Sequence, residues 1–274
     1  MSKWAIIGLG FIAQRHLDAI HDVGDELVMA CDTDKEKALK VDSKVAFFTD
    51  YIKMIFDPKF KEVDWVAICT PNYLHFPMVM NLLKAGKNVL CEKPLVIKFK
   101  DIETLRLLPK NSQLFSVMQL RHNPELQTFK NEIHDSEYYK GAMTLNLHRG
   151  DFYHKGWKGN KDQSGGLLFN IGVHYFDLLV WFFGEPINFE IYEKKDRSAN
   201  GKLYFKNAQI TWSLSIEAPM DNQIRRLVIN DKNIDLTRHF ENLHTKVYQD
   251  IKLGKGITFE EAGRSIKIIE KMSQ

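Results

Sequence analysis

Cysteine is scarce in this sequence. Cys31, Cys69 and Cys91 are odd in number, far apart, and lack the paired spacings of a zinc site, so no metal is expected. Each ends an apolar run and reads as a small buried core residue in a reducing compartment. Net charge is scarce as well. At +3 it is too small to argue for nucleic acid or a membrane surface as partner. Long apolar runs are missing: the longest, Leu178 to Phe183, falls far short of the ~20 residues of a membrane span. Met1-Ser-Lys leads straight into a strand with no leader segment, which points to a cytoplasmic protein. Internal repeats, low-complexity tracts and linker-like stretches are absent too.

What remains is an ordinary globular composition, 44% apolar and 27% charged, in 274 residues, a length that suits two domains. The first half alternates short β-branched runs with amphipathic segments, the pattern of a parallel sheet covered on both faces. Strands are expected at Trp4–Ile7, Glu26–Cys31, Val45–Phe48, Trp65–Cys69, Asn88–Cys91 and Leu114–Met118. Helices are expected at Phe11–Val23, Lys35–Val41, Tyr73–Ala85 and Ile102–Leu108. The fold class is therefore α/β, with a doubly wound Rossmann-type sheet over residues 1–120 and an α+β domain over 121–274.

In the second half, a helix at Pro124–His134 leads into alternating segments at Tyr138–His148, Asn188–Lys194, Lys202–Glu217 and Gln223–Asp235. These describe an open, mainly antiparallel sheet. Asn200-Gly201 is a hairpin signal between two of them. Amphipathic helices at Arg238–Lys252 and Thr258–Met272 close the chain.

Gly8-Leu-Gly10-Phe-Ile-Ala13 follows a strand and opens a helix, the setting in which such glycines bind a dinucleotide. Gly8 permits the tight turn, Gly10 lets a pyrophosphate approach, and Ala13 allows close helix–sheet packing. Asp32 ends the second strand, where an acid accepts hydrogen bonds from the adenosine ribose and repels a 2′-phosphate. That favours NAD over NADP; Asp34 reads as the N-cap of the next helix. Two further strands end in Thr70-Pro71-Asn72 and Cys91-Glu92-Lys93-Pro94, and in an open parallel sheet ligands lie at those carboxyl ends.

From Asn170 to Phe183 the chain is hydrophobic almost all round, as in a buried helix, except for Asn170, His174 and Asp177. At i, i+4 and i+7 on an ideal α-helix these three fall within about 60° of one another. A buried polar stripe is costly unless satisfied or used. His174 suits proton transfer near neutral pH, and Asp177 is placed to orient it. The rival reading is a purely structural hydrogen-bond network. Upstream, the basic, aromatic, glycine-punctuated run from His148 through Tyr153, Trp157 and Lys158 to Lys161 suits an anionic, ring-bearing ligand, or equally a solvated loop.

The ordered set of GxGxxA, Asp32, Thr70-Pro71-Asn72, Glu92-Lys93-Pro94 and the segment carrying Asn170, His174 and Asp177 resembles the glucose–fructose oxidoreductase/inositol dehydrogenase (Gfo/Idh/MocA) family over essentially the whole chain. The resemblance implies a Rossmann domain, an α/β domain with an open sheet often used for oligomerisation, and NAD(P)-dependent oxidation of a sugar or cyclitol hydroxyl. Most members carry Asp where this chain has Asn170. That departure is shared with a subgroup, the UDP-N-acetyl-2-amino-2-deoxyglucuronate 3-dehydrogenases of surface polysaccharide biosynthesis, some of which recycle NAD with 2-oxoglutarate. Gln119-Leu-Arg121-His-Asn-Pro124, Trp157-Lys-Gly, Ser164 to Asp177 and Leu243-His-Thr-Lys-Val-Tyr248 are similar to that subgroup.

The resemblance implies cofactor contacts at Gly8, Gly10, Phe11, Ile12, Asp32, Thr70, Asn72, His75, Glu92 and Lys93. It implies substrate contacts at Arg121, Tyr153, Trp157, Lys158, Asn170 and His174. Lys93, His174, Asn170 and Asp177 form the expected catalytic set: His174 as base, Lys93 stabilising the alkoxide (or the two exchanged), Asn170 positioning substrate and Asp177 orienting His174. The expected partners are a small-molecule sugar or nucleotide sugar and a second copy of the chain, in a dimer or tetramer. The alternatives are a family dehydrogenase of a free sugar or inositol, and a catalytically silent NAD-binding regulator.

Overall fold

The computed structural model describes residues 1–109, 111–238 and 241–274. The chain divides into two compact units, residues 1–119 with 242–262 and residues 120–241 with 263–274.

The first unit runs β1 (Lys3–Ile7), α1 (Ala13–Asp22), β2 (Glu26–Cys31), β3 (Ala46–Phe48), α2 (Tyr51–Phe56), β4 (Trp65–Ile68), α3 (Asn72–Lys84), β5 (Asn88–Cys91), α4 (Phe99–Arg106) and β6 (Leu114–Ser116). Its six strands are all parallel, in the order β3-β2-β1-β4-β5-β6. The order reverses between β1 and β4, where ligands of open α/β sheets bind. Ile6, Val66, Ala67 and Leu90 are fully buried because helices cover both faces of the sheet. Trp4 stacks on Trp65 at 5.4 Å between ring centres, and Trp65 on Phe115 at 5.8 Å. The three cysteines are buried and unbridged, and burial pushes the Cys31 thiol up to about 12. The segment expected to be helical from Lys35 forms a 3-10 turn, Lys35–Lys40.

The second unit runs α5 (Pro124–Asn131), β7 (Tyr139–Asn146), α6 (Asp151–Lys155), α7 (Lys161–Ser164), α8 (Val173–Phe183), β8 (Asn188–Lys194), β9 (Ser198–Tyr204), β10 (Ala208–Ser215), β11 (Ile224–Ile229) and β12 (Lys232–Asp235). Its sheet has the order β12-β11-β7-β10-β9-β8. Every pairing is antiparallel except β7 with β10. Alternate residues point inward, among them Met143, Leu145, Ile210, Trp212 and Leu214, and Phe176 of α8 meets Trp212 edge to face at 5.1 Å.

Asn200-Gly201 is not a turn. Both residues lie inside β9, and the β8–β9 hairpin closes where the Lys195 amide donates to the Ser198 carbonyl at 2.7 Å. Gly201 is required for another reason: a Cβ there would collide with the Glu190 carbonyl and crowd the Trp212 ring. The segment expected from Gln223 to Asp235 is likewise split into two strands, with Asn230 in the left-handed region at the turn (φ 49°).

The helical run Lys161–Phe183, 23 residues with an 18-residue window of mean hydropathy 1.4, is long and apolar enough to cross a membrane, which the short run Leu178–Phe183 did not suggest. That window is 72% buried inside the protein, as a core helix is.

Positions 239–240 of the helix expected from Arg238 lie outside the described residues, and α9 spans Leu243–Lys252. It belongs to the first unit, although the sequence had assigned it to the second domain. α10 spans Phe259–Ser273.

Candidate active site

In the first unit the glycine loop joins β1 to α1. Gly8 is in the left-handed region (φ 92°), its amide donates to the Cys31 carbonyl at 2.8 Å, and a Cβ would lie 2.8 Å from the Cys69 backbone. No other residue fits there without moving β4. Gly10 differs, because nothing lies within 4 Å of its Cβ position. No side chain caps the N-terminus of α1, so its first amides remain open to a phosphate. Asp32 accepts from the Leu9 amide at 2.7 Å and from the Asp34 amide at 2.9 Å, which ties the end of β2 to the loop. Phe11 stands 90% exposed and Ile12 is half-buried at the start of α1. An open cradle, free amides and a terminal acid together fit a dinucleotide.

The loops after β4 and β5 are fastened together by His75. It is buried, with Nδ1 2.8 Å from the Pro94 carbonyl and Nε2 2.9 Å from the Thr70 carbonyl. Burial holds its imidazole below the usual pKa, against the pull of both carbonyls. In its neutral form His75 lies between Thr70 and Pro94 and donates to one of their two carbonyls. Asn72 is buried at the start of α3, and Thr70 Oγ1 contacts the Met78 sulfur at 3.5 Å. Glu92 is buried and Lys93 half-buried beside it.

In the second unit the expected polar stripe does not run along a uniform α-helix. Leu168–Gly172 forms one π-helical turn ahead of α8, and Asn170 sits within it. Such turns widen the helix and recur at functional sites. The Asn170 amide donates to the hydroxyl of Tyr153, which is itself buried. His174 is half-buried, with its Nδ1 inside the protein.

The expected roles of Asp177 and Arg121 change. Arg121 Nε donates to Asp177 Oδ2 and Nη2 to Oδ1, each at 2.8 Å, and the guanidinium also lies 5.8 Å from the Trp181 ring centre. Arg121 is therefore spent in a buried fork rather than offered to a substrate, and Asp177 has it as partner in place of His174. Helical spacing carries no signal for a partner 56 positions away.

Sequence reasoning did not single out Arg149, which lies within the basic run from His148 to Lys161, and missed Arg225. Burial holds the Arg149 guanidinium below its usual range, and Arg225 pushes the same way. Burial and then Arg149 also depress Lys158, whose ammonium sits 5.7 Å from the Trp157 ring centre. Burial raises the Tyr153 and Tyr175 hydroxyls, and Arg149 opposes this in both. Among the described residues Arg149 donates to the neighbouring His148 carbonyl alone, at 2.8 Å. Among the described residues no carboxylate pairs with Arg149, Arg225 or Lys158. Arg225 is found through the sheet: it pairs with Leu145 across β11 and β7, four positions before Arg149.

Comparison with known proteins places this geometry. The oxidoreductase family model with an NAD-binding Rossmann fold matches residues 2–119, and the model for its C-terminal α/β domain matches residues 130–268. The WlbA (WbpB) dehydrogenase of Thermus thermophilus, solved with NAD and alpha-ketoglutarate, is 32% identical with a TM-score of 0.93, covering all of this chain and 95% of that one. Solved with NAD and UDP-GlcNAcA, it superposes with a TM-score of 0.92 at 31% identity over the same shares. Among curated relatives, the scyllo-inositol 2-dehydrogenase (NADP(+)) IolU of Bacillus subtilis is 29% identical over 213 residues, 73% of this chain. That match spans 62% of the relative's own length, and 56% for the inositol dehydrogenase of Lactiplantibacillus plantarum, 27% identical over 71% of this chain. With both halves matched in order, the chain belongs to the Gfo/Idh/MocA oxidoreductase family.

Proposed function

We propose that the protein is an NAD-dependent dehydrogenase that oxidises a hydroxyl of an anionic nucleotide sugar, with C3 of UDP-N-acetyl-2-amino-2-deoxyglucuronate as the specific candidate. The observation that carries the substrate class is the group Arg149, Arg225 and Lys158, which has no paired carboxylate among the described residues and in which Arg149 lies beside Tyr153, the hydrogen-bond partner of Asn170. Partly buried cations without a carboxylate are unfavourable, and a diphosphate or carboxylate would relieve them. A free sugar or inositol brings no charge to do so. The Thermus enzyme solved with UDP-GlcNAcA supports the same reading.

Gly8, Gly10, the start of α1 and Asp32 would hold the dinucleotide. Bound NAD supplies the hydride acceptor. His174, whose Nδ1 is buried, takes the hydroxyl proton at Nε2. The Lys93 ammonium stabilises the alkoxide as it forms, although the two roles are exchangeable. Asn170 is an amide and takes no proton, so it positions the substrate. Lys93→Met and His174→Ala should each abolish turnover while NAD still binds. Near-normal turnover in either variant overturns the assignment.

The inositol dehydrogenases among the relatives favour a second reading, oxidation of a free cyclitol or sugar. Formation of NADH, followed by absorbance with UDP-sugar acids, free sugars and inositols side by side, separates the two. Faster turnover of an inositol sinks the nucleotide-sugar reading. NAD binding with no turnover of any of them would leave a regulatory protein.

A further inference from the structure

The motif Leu243-His-Thr-Lys-Val-Tyr248 has no part in the scheme above, and its structure gives it one. His244 and Tyr248 are one α-helical turn apart on α9, both buried, and both face into the first unit. The Tyr248 hydroxyl is 2.8 Å from His16 Nδ1 on α1, and His16 Nε2 is 3.1 Å from Glu92 Oε1. His244 Nε2 reaches the same oxygen at 3.3 Å. The other oxygen, Oε2, accepts from the backbone amide of Lys93 at 3.1 Å. A continuous path of hydrogen bonds therefore joins α9 to the residue that carries the ammonium group.

The protons on this path follow from the chemistry. Burial alone would raise the Glu92 carboxyl, but hydrogen bonds from His16 and His244 hold it well below its usual pKa. An ionised carboxylate only accepts, so both Nε2 atoms carry hydrogen. Burial keeps His16 neutral despite Glu92, so its Nδ1 is an acceptor and the Tyr248 hydroxyl donates to it. Each link fixes the next, and Glu92 ends with donors on both oxygens. None of these side chains needs to touch substrate or cofactor for this to matter.

We propose that Tyr248, His244 and His16 are positioning residues that act through the Glu92 carboxylate to set the backbone at Lys93. This rests on the role given to Lys93 above. The geometry also explains why the segment 242–262 groups with the first unit although it follows residues 120–241 of the second in sequence.

The test is Tyr248→Phe, which removes the hydroxyl and leaves the ring packed 4.7 Å from Trp4. The kcat should fall about 10- to 100-fold, the range that a small misplacement of a reacting group produces. KM for NAD should stay close to wild type, and the melting temperature should fall by only a few degrees, as the buried His16 Nδ1 loses its donor. His244→Gln, which keeps a donor for Glu92, should retain more activity than His244→Leu. A nitrogen NMR spectrum of wild type should show His16 as the Nε2–H tautomer. If Tyr248→Phe keeps wild-type kcat while Lys93→Met is dead, this inference fails and the role of Lys93 stands. If Lys93→Met is active, the functional reading itself fails. A stoichiometric divalent metal in the purified protein would also overturn the inference. Two histidines and a carboxylate can close on an ion, and a metal at both Nε2 atoms would displace the hydrogens that the path requires.

Discussion

Arg121 and Asp177 meet fork to fork, with two parallel 2.8 Å hydrogen bonds and at most 9% exposure on either side chain. Such a pair contributes little net stability against a well-packed apolar pair, yet removing one partner strands the other charge. Asp177→Ala should therefore destabilise the protein by about 3–5 kcal/mol in urea unfolding. Arg121→Met with Asp177→Leu should recover much of that loss. If Asp177→Asn instead lost turnover at full stability, Asp177 would be orienting His174 after all.

The two loop glycines should separate fold from cofactor. Gly8→Ala meets both a left-handed backbone and the Cys69 carbonyl, so the apoprotein should lose about 1–3 kcal/mol or more. Gly10→Ala enters open space. Its apoprotein should melt as wild type does, while NAD binding by calorimetry weakens because the methyl occupies the pyrophosphate path. Equal NAD affinity in Gly10→Ala would remove the loop from the binding site.

The glycine loop was legible in the sequence because local conformation decides it: a strand, a turn that only glycine tolerates, and a helix start occupy neighbouring positions. The parallel sheet was legible for the same reason, through continuous apolar runs such as Trp65–Ile68. What escaped depends on contacts distant in sequence. Arg121 finds Asp177 across 56 positions, and His16 finds Tyr248 across 232. Asn200-Gly201 misled because Gly201 answers to Glu190 and Trp212 on neighbouring strands, not to a turn. The π-helical turn at Asn170 left no periodic trace, since one extra residue per turn shifts the phase only locally.

Stability should fall below neutral pH. Burial lowers the folded-state pKa of His16, opposed by Glu92, and that of His75, opposed by the Pro94 and Thr70 carbonyls. As pH drops through about 6.5, the unfolded chain takes protons at these positions that the native protein refuses. Their contribution is thus complete above that pH and is lost on acidification towards the folded values. Glu92, lowered well below the usual carboxyl range, adds a second loss below about pH 4.5. Melting temperatures across pH 5 to 8 should decline towards the acid end, less steeply in His75→Gln. A flat profile would mean that the buried histidines are already protonated in the native state.

Arg149 offers the sharpest test of what the second unit binds. With Arg225 and Lys158 nearby and no carboxylate paired to it among the described residues, its charge is a burden in the empty protein and an asset only when an anion arrives. Arg149→Gln should therefore leave the melting temperature of the apoprotein unchanged or raise it. The same change should increase KM for a UDP-sugar acid about 10- to 100-fold, the loss of one charge-assisted hydrogen bond, with KM for NAD unaffected. In a thermal-shift titration, stabilisation by the UDP-sugar acid should shrink correspondingly, because it tracks ligand concentration over dissociation constant. A destabilised apoprotein with an unchanged KM would mean that Arg149 is held by the protein itself. The cationic group would then carry no preference for a nucleotide sugar over an uncharged one.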